Sequence, residues 1–267
     1  MKLCFSTLGC SDRSLDEILS LAKSYQTHAI EIRGIGGTLN NREIEAFFPT
    51  NLQRTLQKFE SAGIFPSVLG TSCSFHREEK FEAAIMEGVG AIRIASALGI
   101  PFIRVFGDKL LPNEKEACVD RIVKGLHRLC QEDERVTVLL EIHGDFNTEE
   151  TLLPVLDSMS RVKNFGLIWD IEHTHQSYGN RWLSFYKFAR PYIKHVHIKD
   201  YSNARKSLTL IGDGDIPIAE IVAQLIKDGY NGYLSLEWEK KWHPELPDIE
   251  TALLSFITLI ERTEKRS

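Results

Sequence analysis

Two rhythms of apolar and polar positions alternate along the chain. Short, nearly continuous apolar runs fall at 2–6, 28–33, 65–69, 101–106, 136–142, 165–170, 193–198 and 233–237. Runs of this length with few polar interruptions predict strands buried on both faces. Between them lie stretches with helical spacing, at 14–24, 52–62, 78–98, 113–131, 148–159, 182–189, 218–228 and 249–263. Val119, Ile122, Val123, Leu126 and Leu129 show the period well. Ser14 followed by Glu17 predicts a capping box, in which the hydroxyl and the carboxylate satisfy each other's backbone donors. Gly63, Gly99 and Gly229 stand where helices would end, and glycine readily takes the left-handed cap conformation.

Eight strand–helix alternations predict a parallel sheet covered by helices. Eight units in 267 residues favour a closed (β/α)₈ TIM barrel, which needs roughly 250 residues, as one domain over 1–267. The glycine fingerprint of an open dinucleotide-binding sheet is missing after the first strand. The net charge of −5, with no basic stripe, argues against nucleic acid and anionic membranes as partners. No apolar stretch is long enough to span a bilayer. The start, MKLCFSTLGC, lacks the apolar core of a secretion signal. Five cysteines, an odd number without C-x-x-C spacing, fit free thiols in a reducing cytoplasm.

Barrel enzymes carry their chemistry at the C-terminal ends of the strands. Strand five ends LEIHGDF and presents Glu141; strand six ends WDIEH and presents Asp170. Strand seven, HVHIKD, presents His195 or His197, and strand eight ends LSLEWE at Glu237. Any one of these alone is unremarkable. Together they put carboxylates close to one another, which is costly unless a cation or a proton compensates. A divalent ion answers this, and the oxygen-rich set suits Mn²⁺, Mg²⁺ or Co²⁺ without excluding Zn²⁺.

The chain resembles the xylose-isomerase-like superfamily of sugar isomerases and epimerases. The resemblance rests on FSTLG, AIEIRG, LEIHGDF, WDIEH, HVHIKD, IGDGDIP and LSLEWE, spread over nearly the whole chain. It implies one metal on Glu141, Asp170, His197 and Glu237, with His173 close to that shell. Epimerases of the family often carry an Arg beyond the ligand His; here Lys199 and Arg205 compete for that place. His143, two residues after Glu141, is a further candidate to contact substrate.

The expected reaction is isomerisation or epimerisation of a small sugar or keto-polyol through an enediolate at the metal, with Glu141 and Glu237 moving the proton. A dehydratase or lyase acting on a cyclic keto-polyol would need the same first step. An abasic-site endonuclease is a remote alternative, since its chemistry uses more histidine ligands. A sugar-binding protein without catalysis is the alternative from outside enzymes. Oligomerisation of identical copies is left open.

Four further readings follow from position. His195 shares a face with His197 one layer deeper and reads as a satisfied core histidine. Glu31 either orients the pocket or pairs with a basic neighbour such as Arg33. Gly212 and Gly214, flanked by Asp213 and Asp215, read as a plain turn and not as a phosphate cradle. Phe75, Phe106, Trp182, Trp238 and Trp242 fall in or beside loops at the mouth, where aromatic faces suit sugars.

Overall fold

The computed structural model describes residues 1–111 and 113–266. Eight parallel strands close into a barrel. They are β1 (Lys2–Ser6), β2 (Ala29–Ile32), β3 (Phe65–Ser74), β4 (Phe102–Phe106), β5 (Thr137–Glu141), β6 (Phe165–Asp170), β7 (Ile193–Ile198) and, after a short hairpin, β10 (Tyr233–Leu236). Each strand pairs with its neighbour in chain order, and β10 closes the ring on β1, with Lys2 opposite Tyr233 and Phe5 opposite Leu236. The hairpin, β8 (Asp200–Ser202) and β9 (Ser207–Thr209), lies outside the ring and is antiparallel.

The outer layer comprises α1 (Leu15–Ser24), α2 (Leu52–Ala62), α3 (Phe81–Leu98), α4 (Lys115–Cys130), α5 (Glu149–Met159), α6 (Ile171–Tyr178), α7 (Trp182–Ala189), α8 (Ile218–Lys227) and α9 (Ile249–Glu264). Side chains and glycines cap several of these helices. The capping box of Ser14 and Glu17 forms, and the Thr148 hydroxyl accepts from the Thr151 amide to start α5. Such a cap stabilises a helix by about 1 kcal/mol. Gly63 and Gly99 end α2 and α3 in the left-handed region, at φ 67° and 68°.

The main apolar core lies between strands and helices. The barrel interior is a separate space with two unlike sides. Val68, Leu139 and Ile168, with Phe102 against them, form its apolar side under β3 to β6. The other side, under β1, β2, β7 and β10, is polar. There the Cys4 sulfur lies 3.3 Å from the Ser67 hydroxyl, and Ser235 donates to Glu31 at 3.0 Å. All five cysteines are buried and unpaired with one another. Burial pushes the Cys4 thiol up to about 12, so it is an interior donor and not a nucleophile. No helix among the described residues is long and apolar enough to cross a membrane.

Two elements escape the apolar pattern. The helix α6 is short and polar, IEHTHQSY, and begins without a loop directly after β6. The β8–β9 hairpin occupies the connection between β7 and α8.

Candidate metal centre

Glu141 is the last residue of β5, Asp170 the last of β6, and His197 lies one position before the end of β7. Glu237 follows β10 directly, and its amide still bonds the Ile198 carbonyl at 3.0 Å, so strand geometry aims it inward. All four side chains are buried and they converge. The His197 Nδ1 atom is 3.5 Å from Glu237 Oε2, 3.7 Å from Glu141 Oε1 and 3.9 Å from Asp170 Oδ2. One donor atom from each of the four lies within 4.8 Å of the others.

Local hydrogen bonds decide which atoms point at this centre. Asp170 caps α6: its Oδ1 accepts from the Glu172 and His173 amides at 2.9 and 3.2 Å. That leaves Oδ2 buried without a hydrogen bond; the Lys199 ammonium is 2.9 Å away but is not aligned to donate to it. The Nε2 atom of His197 bonds Glu31 Oε2 at 2.9 Å. A carboxylate only accepts, so Nε2 carries hydrogen and the second ring nitrogen faces the centre. That Nδ1 is also buried without a hydrogen bond. Two unmet buried donor atoms, aimed at one point between three carboxylates, fit a divalent cation.

Glu31 therefore orients and does not pair with Arg33. Its Oε2 accepts from His195 Nε2 at 3.0 Å, His197 Nε2 at 2.9 Å and Ser235 Oγ at 3.0 Å. Burial would raise its carboxyl, but the two imidazoles hold it below the usual range. His195 is a buried core histidine, as its position suggests, but only its Nε2 is satisfied, and its Nδ1 is buried without a hydrogen bond. Glu31→Gln is expected to weaken Mn²⁺ binding by about 10–100-fold, the usual cost of losing such an orienting partner. A calorimetric titration checks this, and unchanged affinity would remove Glu31 from the account.

The crowd of carboxylates is partly balanced by the chain itself. Arg104, inward on β4, donates to Glu141 Oε2 at 2.6 Å in full burial. Burial raises the Glu141 carboxyl, and the guanidinium outweighs it, holding the group ionised. The Lys199 ammonium lies 2.8 Å from Glu237 Oε2 and 2.7 Å from Glu239 Oε1. Burial opposes its charge, yet the carboxylates around it hold the ammonium protonated. Burial likewise opposes the His197 cation, while Glu237 and Glu31 favour it. A divalent ion would have to displace that proton from Nδ1, because only neutral imidazole binds metal.

The rim brings His143 and His173 together, their ring centres 4.4 Å apart and edge to face. Phe106 continues the wall, 5.0 Å from His143 and beneath the Arg104 guanidinium at 4.0 Å. Burial, then Lys199 and His143, lowers the His173 imidazole to about 4, so it is neutral at pH 7. Of the two basic candidates, Lys199 joins the centre and Arg205 does not. Arg205 lies in the hairpin, donating to Thr209 Oγ1 at 2.8 Å and to the Asp213 carbonyl at 3.1 Å. The turn at Gly212 and Gly214 holds the protein's own anion: both amides donate to Asp200 Oδ2, at 2.9 and 3.0 Å. Trp182, Trp238 and Phe75 are core residues, whereas Trp242 is 54% exposed.

Arg104 and Glu239 are the members of this network that pattern reading passed over. Arg104 had a signal, a lone charge inside the otherwise apolar strand FIRVF, which points either inward to a partner or nowhere stable.

The chain belongs to the xylose isomerase-like TIM barrel family, whose model matches residues 19–258. Its fold is shared by solved structures of low sequence identity. The probable 3-DHS dehydratase AsbF of Bacillus anthracis superposes with a TM-score of 0.78 at 19% identity, covering 96% of this chain and 99% of that one. A D-tagatose 3-epimerase-like protein gives 0.78 at 20% identity, covering 100% and 99%. The 3-keto-D-glucoside 4-epimerase YcjR of E. coli gives 0.75 at 17% identity, covering 97% and 98%. No curated protein sequence matches the chain.

Proposed function

We propose that this protein is a divalent-metal-dependent isomerase or epimerase of a small sugar or keto-polyol. The observation that carries the reading is the convergence of Glu141, Asp170, His197 Nδ1 and Glu237, with two of their donor atoms buried and unmet. These four residues would hold one ion, Mn²⁺ or Mg²⁺ by donor type. When bound, the ion supplies Lewis-acid polarisation of the substrate carbonyl, which acidifies the neighbouring C–H.

The chain's own groups do the rest. Glu237, held ionised by His197 and Lys199, accepts the carbon-bound proton. Glu141 stands on β5, separated from β10 by β6 and β7, and can reach the opposite face of an enediolate to return a proton. His173, a neutral donor and acceptor, and His143 beside it would orient hydroxyl groups along the rim. Lys199 holds Glu237 and Asp170 in place and offers N–H groups to a substrate oxygen.

A second reading has an observation of its own. Arg104 keeps Glu141 ionised and occupies one of its oxygens, which makes Glu141 a poor donor for the returning proton. A lyase needs only the first abstraction at Glu237; the electron pair then expels a β-hydroxyl as water, with a proton supplied from the Lys199 side. Structural likeness to a probable dehydratase is compatible with this.

The experiment is incubation with a panel of keto-sugars and keto-polyols in deuterated water, with and without Mn²⁺. Deuterium entering at the carbon next to the carbonyl, only with metal, is the expected result. Retention of all oxygens in the product supports the isomerase, and loss of water supports the lyase. No exchange with any member of the panel would refute both.

A further inference from the structure

Among the described residues, three guanidinium or ammonium groups are buried at the C-terminal end of the barrel. Two of them, Arg104 and Lys199, touch carboxylates. The third, Arg33, does not. It is 8% exposed, and among the described residues no carboxylate bonds its side chain. Its Nη1 donates to the Leu39 carbonyl at 3.2 Å and its Nη2 to Ser72 Oγ at 2.9 Å. A guanidinium has five N–H groups, so these two bonds leave most of its capacity unused. A buried cation without a counter-ion is costly, and its loss of solvation must be repaid by something.

Position says what that something is. Arg33 follows Glu31 by two residues and lies directly after the end of β2, beyond the carboxylate that holds His197. Its amide is fixed by Thr7 Oγ1 at 2.8 Å. Gly70 makes room for the side chain: a Cβ there would lie 2.7 Å from Arg33 Cδ and 3.2 Å from Arg104 Nη2. The two side chains therefore pass the same glycine, with Arg104 turned to Glu141 and Arg33 bonded to Leu39 and Ser72 but, among the described residues, to no carboxylate. The charges that bear most on Arg33 after burial are Arg104, which disfavours its cation, and then Glu87, Glu141 and Glu237, which favour it. Glu87 is engaged elsewhere, accepting from the Ser72 amide at 2.6 Å. Arg33 thus borders the centre through Arg104, which shares Gly70 with it and bonds Glu141.

We propose that Arg33 anchors a carboxylate carried by the substrate, so that the natural substrate is an acidic keto-polyol and not a neutral sugar. This rests on the reading of the metal centre given above. A planar carboxylate matches two N–H groups of one guanidinium edge. A phosphate dianion fits poorly, because the surroundings already hold several carboxylates. The nearby amide cradle that would suit a phosphate, at Gly212 and Gly214, is filled by Asp200. The anchor also sets distance: a carboxylate on Arg33 holds the chain of carbons across the mouth between β2 and the proton-moving glutamates.

The test is calorimetric titration of the Mn²⁺-loaded protein with D-fructuronate, D-fructose and D-fructose 6-phosphate. The uronate is expected to bind at least about tenfold more tightly than the other two, the usual scale of one charge-assisted bidentate contact. Arg33→Gln is expected to erase that preference while Mn²⁺ affinity and fructose affinity stay as they were. Equal affinity of wild type for uronate and fructose, no binding of either in the millimolar range, or tighter binding of the phosphate would overturn the proposal. So would an Arg33→Gln protein that keeps the preference. The wild-type comparison needs no variant, so it decides even if Arg33→Gln fails to fold. Absence of Mn²⁺ binding by wild type sinks the proposed function and this inference with it. Mn²⁺ binding without a carboxylate preference sinks the inference alone.

Discussion

Glu237→Gln is expected to lose proton exchange between substrate carbon and solvent by on the order of 10²-fold or more, even with Mn²⁺ restored to saturation. An amide is nearly the shape of a carboxylate but cannot accept a carbon-bound proton. It can still offer an oxygen to a metal, so the variant separates the two duties of this residue. Lys199, 2.8 Å from Glu237 Oε2 in the wild type, would keep Asp170 and Glu239 as partners and so stay in place. The readout is deuterium uptake at matched metal occupancy. If the amide variant exchanges as fast as wild type, Glu237 is not the base, and another group at the mouth must be.

The second large effect is on stability. Arg104 and Glu141 form a pair buried to 3% and 1% exposure. Arg104→Met leaves Glu141 with only the His197 imidazole, 3.7 Å away, to offset its charge and should cost roughly 3–5 kcal/mol in urea unfolding of the metal-free protein. Adding Glu141→Gln to that variant should recover most of the loss, since the uncompensated charge is then gone. The dependence on pH follows from the direction of the shift. Glu141 lies below its ordinary value of 4.5 in the folded protein. The stabilisation is therefore fully present above pH 4.5 and is lost as pH falls through the depressed folded value. In Arg104→Met that acid-side loss should vanish. A variant as stable as wild type at neutral pH would show that the pair is not coupled as its geometry suggests.

Much of the barrel was legible because parallel strands buried on both faces leave an unmistakable apolar signature. Strands β1, β6 and β7 and helices α2 and α7 fall where the pattern puts them. Strand β3 runs on to Ser74, beyond its apolar stretch, because Gly70 to Ser72 are polar yet lie against Arg33 and Arg104. The helix α6 was not legible, since it is held by the Asp170 cap and by Trp169 bonding Thr174, not by an apolar stripe. At the centre, the strand-end residues could be named because each is a lone polar group ending an apolar run. Their orientation could not. That His197 turns Nδ1 inward depends on Glu31, 166 positions away in the chain. Lys199 and Arg205 were equal candidates by spacing; the hairpin that carries Arg205 off was invisible to periodicity, being only two three-residue strands.

The central claim is that one divalent ion sits where the four strand-end side chains meet. Crystals grown with Mn²⁺ and measured at a wavelength where manganese scatters anomalously test it most directly. The account expects a single strong peak, with Glu141, Asp170, Glu237 and the Nδ1 atom of His197 as ligands at about 2.0–2.3 Å. No peak there, or a peak held by other residues while these four keep to Lys199 and Arg104, would contradict it.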